Sequence, residues 1–408
     1  MASSDTPPPP LDGAEPAARW AMLAVLATAG LLGMSLWFGA TAALPALRER
    51  WSLTAADAGW LTSIVQLGFV AGTALAATLN LADLFPARAY FAASAVLAAS
   101  ANYLLAGADS FDVALVSRFF TGFFLAGVYP PAMKMAATWF RVSRGLAIGA
   151  IVGGITAGKA APYLVRAAES TDVGVIAGVT SMAALISAAM VALFYRDGPF
   201  AFPRRPFSWS LALVVLRHRE TRLAIGGYLG HMWELYAMWA WLPAFLAASV
   251  AAAAAHGHPP PLAPFVDLAA FGAIAIGAVG CVWGGAWART AGYARVVTVS
   301  MAASGTLALA IGFFFGGSFL LIAAVAAAWG FFVVADSAQF SALVTEVAPP
   351  HAVGTALTLQ TSIGFLLTMA TIQLVPLLAE AFGWRWAFAV LSLGPAAGIA
   401  AIARLARR

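Results

Sequence analysis

The sequence predicts an all-α integral membrane protein, with twelve transmembrane helices in two pseudo-symmetric six-helix bundles. Three observations carry the prediction: too little charge to coat a soluble fold, a dozen apolar runs of bilayer-crossing length, and arginines gathered on one side of the resulting topology. Of 408 residues, 62% are hydrophobic and 10% charged, whereas a soluble domain carries about 25% charged residues. A chain so short of polar surface belongs in lipid.

The elements follow in order. Residues 1–19 are polar and Pro-rich (MASSDTPPPP at the start), without a charged n-region or a small-residue cleavage site, so a disordered cytoplasmic tail is expected rather than a signal peptide. Apolar runs then occupy Trp20–Leu44, Gly59–Leu81, Ala89–Ala106, Val113–Thr138, Leu146–Val165 and Val173–Tyr195. After a break come Leu223–Val250, Leu268–Trp287, Val296–Phe315, Leu320–Val344, Thr355–Leu378 and Trp386–Ile402. Each is close to the roughly 20 residues that span a hydrocarbon core. All are expected to be helices, because in lipid a helix satisfies its own backbone. The Arg-rich break at 197–222, with PFAFPRRPF inside it, reads as a cytoplasmic linker joining a bundle at 20–196 to one at 223–404.

Orientation follows from arginine. With the N-terminus inside, fifteen arginines, including Arg19, Arg88, Arg196, Arg222, Arg289 and Arg404, fall on the cytoplasmic side, against four (Arg48, Arg50, Arg166 and Arg385) outside. That asymmetry places both termini in the cytoplasm of a cell (inner) membrane. The net charge of +5 is therefore mostly topology, and no nucleic-acid partner is expected. The lone Cys281 leaves no internal disulfide and no multi-cysteine metal site.

The two halves look related. GFFLAGVYPPAMKMAATWFRVSRGLAI, from Gly122, lines up with GFFVVADSAQFSALVTEVAPPHAVGTALTL, from Gly330, at an offset of about 208 residues. Parallel six-plus-six repeats with a central loop are a transporter plan, with the binding site near the midplane between the repeats.

These features resemble the major facilitator superfamily along essentially the whole chain. NLADLFPAR (Asn80 to Arg88) resembles the family's loop between helices 2 and 3, keeping Asp83 and Arg88 but not its glycines. GGAWARTAGYAR resembles the second copy, with Arg289 kept and Ala288 where the acid stands. The resemblance implies a conformational gating role for Asp83, Arg88 and Arg289. Arg118 followed by Gly122 resembles the family's membrane-embedded arginine motif. The segment from Tyr129 to Gly149 resembles the anion-type branches, such as hexuronate, glycerol-phosphate, oxalate/formate, nitrate/nitrite and cyanate porters. The nitrate porters' Gly-rich signature with its Asn is absent: here the stretch reads GAIVGGITAGKAAP and carries Lys159.

An ionisable group inside a membrane is a functional hypothesis by default. In GHMWELYAMWAWLPAFL, His231 and Glu234 lie about 13 and 18 Å along a helix starting at Arg222, and Asp336 lies about 15 Å from the cytoplasmic end of its own helix. His231, Glu234, Met238 and Trp241 share one helix face, which we expect to line a watery cavity; cross-helix hydrogen bonding is the structural alternative. Arg118 and Lys159 lie about 10 Å from the outer ends of their helices. A guanidinium can also tie helix backbones together. Lys159 follows a run of glycines and has no packing use there. Lys134 follows the Pro130–Pro131 kink and could snorkel to headgroups. Trp37, Gln66 and Gln360 are polar or aromatic cavity candidates.

The leading expectation is a monomeric secondary transporter of a small anion, coupled to protons. Lys159, Arg118 and Lys134, with Trp37 and Gln360, would hold substrate; Glu234, Asp336 and His231 would carry the proton. Arriving anion would take a cation away from a carboxylate, which would then bind a proton. A proton-coupled efflux pump for apolar or cationic compounds is the alternative, favoured by the Trp and Met lining, and a transceptor is a remote one. No catalytic motif points to an enzyme, and no cofactor or metal is expected.

Overall fold

The computed structural model describes residues 18–140, 144–168, 172–200, 208–257, 259 and 261–407. Residues 1–17 of the tail expected at 1–19, and the PRRP part of the linker, lie outside the described residues; Ala18 and Arg19 already belong to the first helix. Those described form helices and connecting turns, with no strand among them. Eleven helices are long and apolar enough to cross a membrane, and a shorter apolar helix, Ala18–Met34, precedes them.

We label the twelve α1 (Ala18–Met34), α2 (Ala55–Thr78), α3 (Ala87–Tyr103), α4 (Phe111–Leu125 and Tyr129–Ala137), α5 (Arg144–Ala167), α6 (Val173–Phe194), α7 (Arg219–Ala255), α8 (Ala263–Ala275 and Gly277–Ala291), α9 (Tyr293–Ala310), α10 (Phe319–Ala335 and Ser337–Val347), α11 (Val353–Phe382) and α12 (Leu393–Ala406). Large apolar side chains such as Leu193, Phe313 and Leu320 lie fully on the outside, as lipid-facing residues do in a fold whose solvent is hydrocarbon.

Several runs expected to be continuous are broken, α8 at Ile276 among them. α1 stops at Met34, passes through a turn at 35–38, and resumes as the short helices Gly39–Ala42 and Leu44–Trp51. The Ser35 hydroxyl donates to the Leu32 carbonyl at 2.7 Å, a local bond that competes with the helix ladder. α10 breaks at Asp336. The break in α4, at 126–128, is the expected proline kink, with Pro130 and Pro131 opening its second segment.

The internal repeat has a packing signature. A Cβ on Gly122 would strike the Val65 carbonyl oxygen of α2, and a Cβ on Gly330 would strike the Ala273 carbonyl oxygen of α8. The two pairs sit at the same offset of about 208 residues, so both halves use one glycine to let one backbone press on another.

Helices early and late in the chain meet along two seams, α2 against α11 and α5 against α8. At the end of the bundle away from the termini, Arg166 of α5 pairs with Asp267 of α8, and the Gln373 amide of α11 approaches the Ser63 hydroxyl of α2 at 3.4 Å. At the other end the short helix Trp209–Arg217 packs on α11, where the Ser208 backbone N–H donates to the Thr355 hydroxyl at 3.1 Å.

Candidate functional site

The break in α1 frees backbone carbonyls within the bundle, and α4 supplies the group that takes them. Arg118, 1% exposed, donates to the Leu36 carbonyl at 3.0 Å and the Trp37 carbonyl at 2.5 Å through one terminal nitrogen, and to the Asn102 side-chain oxygen of α3 at 2.7 Å through the other. Asn102 in turn donates to Ala177, Thr180 and Ser181 of α6 at 2.9–3.2 Å. Irregular backbone at membrane depth persists only where such partners bury it. The planar fork of a guanidinium suits this arrangement because it spans several acceptors at once. The expectation that Arg118 faces substrate is therefore corrected: both terminal nitrogens are engaged by protein, and the residue ties α1, α3 and α6 together.

Lys159 has very different surroundings. It is 4% exposed, and its ammonium donates to the Tyr236 hydroxyl of α7. The ring centroids of Trp37, Tyr236 and Trp239 lie 4.5, 4.6 and 5.4 Å from Nζ. Aromatic faces attract a cation, but among the described residues no carboxylate pairs with it. The Tyr163 hydroxyl, one turn along α5, donates to the Trp239 carbonyl at 3.3 Å. The rings continue outward from this cage: Trp37 meets Phe69 of α2 at 5.3 Å and Phe365 of α11 at 5.6 Å. Four helices and the turn after α1 thus build one aromatic cluster around the ammonium.

The acids of the later helices form a separate group. Glu234, 1% exposed, accepts from the Ser304 hydroxyl of α9 at 2.8 Å and from the Trp329 indole N–H of α10 at 2.6 Å. Asp336, at the α10 break, lies 2.9 Å from His231 Nδ1, and the other ring nitrogen is 3.0 Å from the Ser337 hydroxyl. The imidazole sits between a carboxyl and a hydroxyl, at ion-pair distance from the carboxyl.

This placement corrects two expectations. The face carrying Glu234 and Trp241 is not the one that meets the first-half helices: Glu234 points at α9 and α10, and Trp241 donates to the Ile372 carbonyl of α11 at 2.8 Å. Nor do Lys159 and Glu234 pair, since each has other partners. The face of α7 that reaches the early helices carries Tyr236 and Trp239, neither of which the sequence reading singled out. Both were in the stretch that drew attention to His231 and Glu234. Tyr236 lies two residues beyond Glu234, nearly opposite it on a helix.

The remaining candidates scatter. Trp37, expected to line a cavity, packs its ring on the Lys159 ammonium. Gln360, 1% exposed, is buried in α11 with its amide oxygen unpartnered, and both amide atoms of Gln66 in α2 are likewise unpartnered among the described residues. Lys134 is half-buried in the last turn of α4, away from the Lys159 cage. Arg88 and Arg289 are exposed near helix ends, and the side chain of Asp83 lies outside the described residues. Gly277 of α8 lies between Thr156, one turn before Lys159, and Val334, just before the α10 break. That contact runs from the helix of the cage to the segment bearing Asp336.

The Major Facilitator Superfamily profile matches residues 26–302. No curated protein matches the chain. Among solved structures, the crystal structure of a major facilitator superfamily transporter, FucP, in the outward conformation, is similar: 15% sequence identity and TM-score 0.65, covering 95% of this chain and 99% of that one. At that identity the likeness is one of fold.

Proposed function

Because the chain belongs to the major facilitator superfamily and is therefore a transporter rather than an enzyme, we propose that it is a proton-coupled secondary transporter of a small organic anion, working as a monomer by alternating access in a cell membrane with both termini cytoplasmic. The observation that carries the reading is the Lys159 ammonium: buried where early and late helices meet, held by a hydroxyl and ring faces, and unpaired with any acid among the described residues. A buried charge left short of a counter-ion is costly. An arriving carboxylate supplies that counter-ion, and leaves the site neutral enough to move through the membrane interior.

The proton site in this reading is the His231–Asp336 pair, because it sits at a helix break and sets a carboxyl 2.9 Å from an imidazole. Glu234, locked by two donors, serves as a strut between α7, α9 and α10. Lys134, Arg88, Asp83 and Arg289 lie outside the central site and belong to entry or gating. The Thr156–Gly277–Val334 contact supports a mechanical link between the cage and Asp336.

The test is transport by the reconstituted protein. Lys159→Ala should lose anion binding and uptake. Asp336→Asn should lose accumulation driven by a pH gradient but keep exchange without one, and Glu234→Gln should keep both. If Lys159→Ala binds and transports anions like the parent, the reading is wrong. The cage also favours a second reading, export of organic cations, since the same rings hold an ammonium now. That reading requires Lys159→Ala to strengthen cation binding by removing a like charge; the anion reading does not.

A further inference from the structure

We infer that the transported anion is a planar aromatic monocarboxylate, with its carboxylate held by Lys159 and the indole N–H groups of Trp37 and Trp239 and its ring inserted into the aromatic cluster. The inference rests on the reading of Lys159 as the anion-binding cation and names the class of substrate that site takes.

Charge sets the valence. The cage surrounds one ammonium, and the other deeply buried cation, Arg118, has both terminal nitrogens on protein acceptors. One carboxylate neutralises the site. A phosphate or dicarboxylate would bring a further charge with no second cation to meet it, and unpaired buried charge is strongly disfavoured.

Unsatisfied donors set the headgroup. The indole nitrogens of Trp37 and Trp239 are buried and have no acceptor among the described residues, although their rings pack about Lys159 Nζ at 4.5 and 5.4 Å. Buried N–H groups without an acceptor are rare. A carboxylate carries about four lone-pair sites, enough for an ammonium and two indoles together. The Tyr236 hydroxyl accepts from the same ammonium.

The walls set the body. Trp37, Phe69, Tyr236 and Phe365 come from the turn after α1 and three helices and touch one another, with centroids 4.6–5.7 Å apart. A flat ring entering such a cluster exchanges ring–ring contacts for similar ones. A polyhydroxylated chain would instead bury hydroxyls against ring faces, where they find few partners. Gln66 and Gln360, on the same helices as Phe69 and Phe365, carry unpartnered amide atoms that could meet a single polar substituent.

The experiment is calorimetric titration of the purified full-length protein in lipid nanodiscs with sodium benzoate, cyclohexanecarboxylate, gluconate and inorganic phosphate. Benzoate should bind, about three- to tenfold tighter than cyclohexanecarboxylate, with gluconate and phosphate weaker still. Trp239→Phe keeps the ring and removes the N–H, and should weaken benzoate roughly tenfold. Phe365→Leu, a second and independent variant, should erase the preference for benzoate over cyclohexanecarboxylate. Equal affinity for those two compounds in the parent protein overturns the aromatic assignment. So does tighter, Lys159-dependent binding of gluconate or phosphate, which leaves the anion reading intact. Absence of binding by all four, or benzoate binding unchanged in Lys159→Ala, removes both.

Discussion

Arg118 in α4 and Glu234 in α7 are each 1% exposed, each an ionisable group among apolar helices, and each held by protein, Arg118 through both terminal nitrogens and Glu234 through both carboxylate oxygens. Their partners differ. Arg118 draws on backbone: α1 gives up its helical ladder for a turn, and two of its carbonyls turn to the guanidinium. Glu234 draws on side chains, a serine and a tryptophan, and α7 runs unbroken for 37 residues past it. At Arg118 the charge is tied to a change of backbone shape; at Glu234 the helix runs on unchanged. The consequence reaches the proposed site, because the turn that Arg118 holds is the one that presents Trp37 to Lys159. A strut that determines helix shape is coupled to the cage, and one that only bridges side chains is not.

The strongest way to break this comparison is to remove Arg118. Arg118→Ala takes the side-chain donor from the Trp37 carbonyl and the Asn102 amide oxygen, while the Leu36 carbonyl keeps the Gly39 N–H, and should cost about 3 kcal/mol, read as a fall in unfolding free energy in mixed micelles. Arg118→Lys should recover little, because a single ammonium lacks the fork that spans these acceptors. Either variant should also weaken anion binding, since Trp37 loses its platform. Stability kept while binding is lost would place Arg118 at the substrate instead.

Next comes Glu234→Ala, which strands the Trp329 N–H and opens a small void, for an expected loss of about 2 kcal/mol in the same assay. Glu234→Gln should stay within about 1 kcal/mol of the parent, since an amide oxygen can accept from Trp329 and the amide N–H₂ can meet the Ser304 hydroxyl. Neither should change anion affinity. A large binding defect in Glu234→Gln would show that the two regions are not separate.

A smaller effect is expected at Ser304→Ala, about 1 kcal/mol, because the Trp329 bond to Glu234 survives. The smallest is the stability of Lys159→Met. Removing a buried charge that has only a hydroxyl and ring faces for company should leave stability unchanged or slightly raised, while anion binding disappears. That opposition, a cation whose loss harms function but not folding beside one whose loss harms folding first, is the sharpest form of the comparison. Thermal denaturation and binding measured on the same preparations decide it.

Much of the protein was legible in the chain alone. Twelve apolar runs emerged as helices because length and hydropathy in lipid are nearly sufficient conditions for one. The repeat was readable because Gly122 and Gly330 are each required by the same close approach of a neighbouring backbone. The residues worth inspecting inside the membrane, Arg118, Lys159, Glu234, His231 and Asp336, announced themselves by the cost of burying them. Their partners did not. Which face of α7 meets the early helices depends on how that helix is rotated in the bundle, and rotation is set by packing across both halves, to which periodicity within one helix is blind. Charge marked the Glu234 face, whereas the tertiary structure turned Tyr236 and Trp239 toward Lys159. The break in α1 was hidden for a related reason: an apolar run with a serine and glycines reads as a continuous helix until a guanidinium more than eighty residues away arrives to take its carbonyls. Local sequence determines what each segment can satisfy by itself, and only the assembled bundle decides which unsatisfied groups meet.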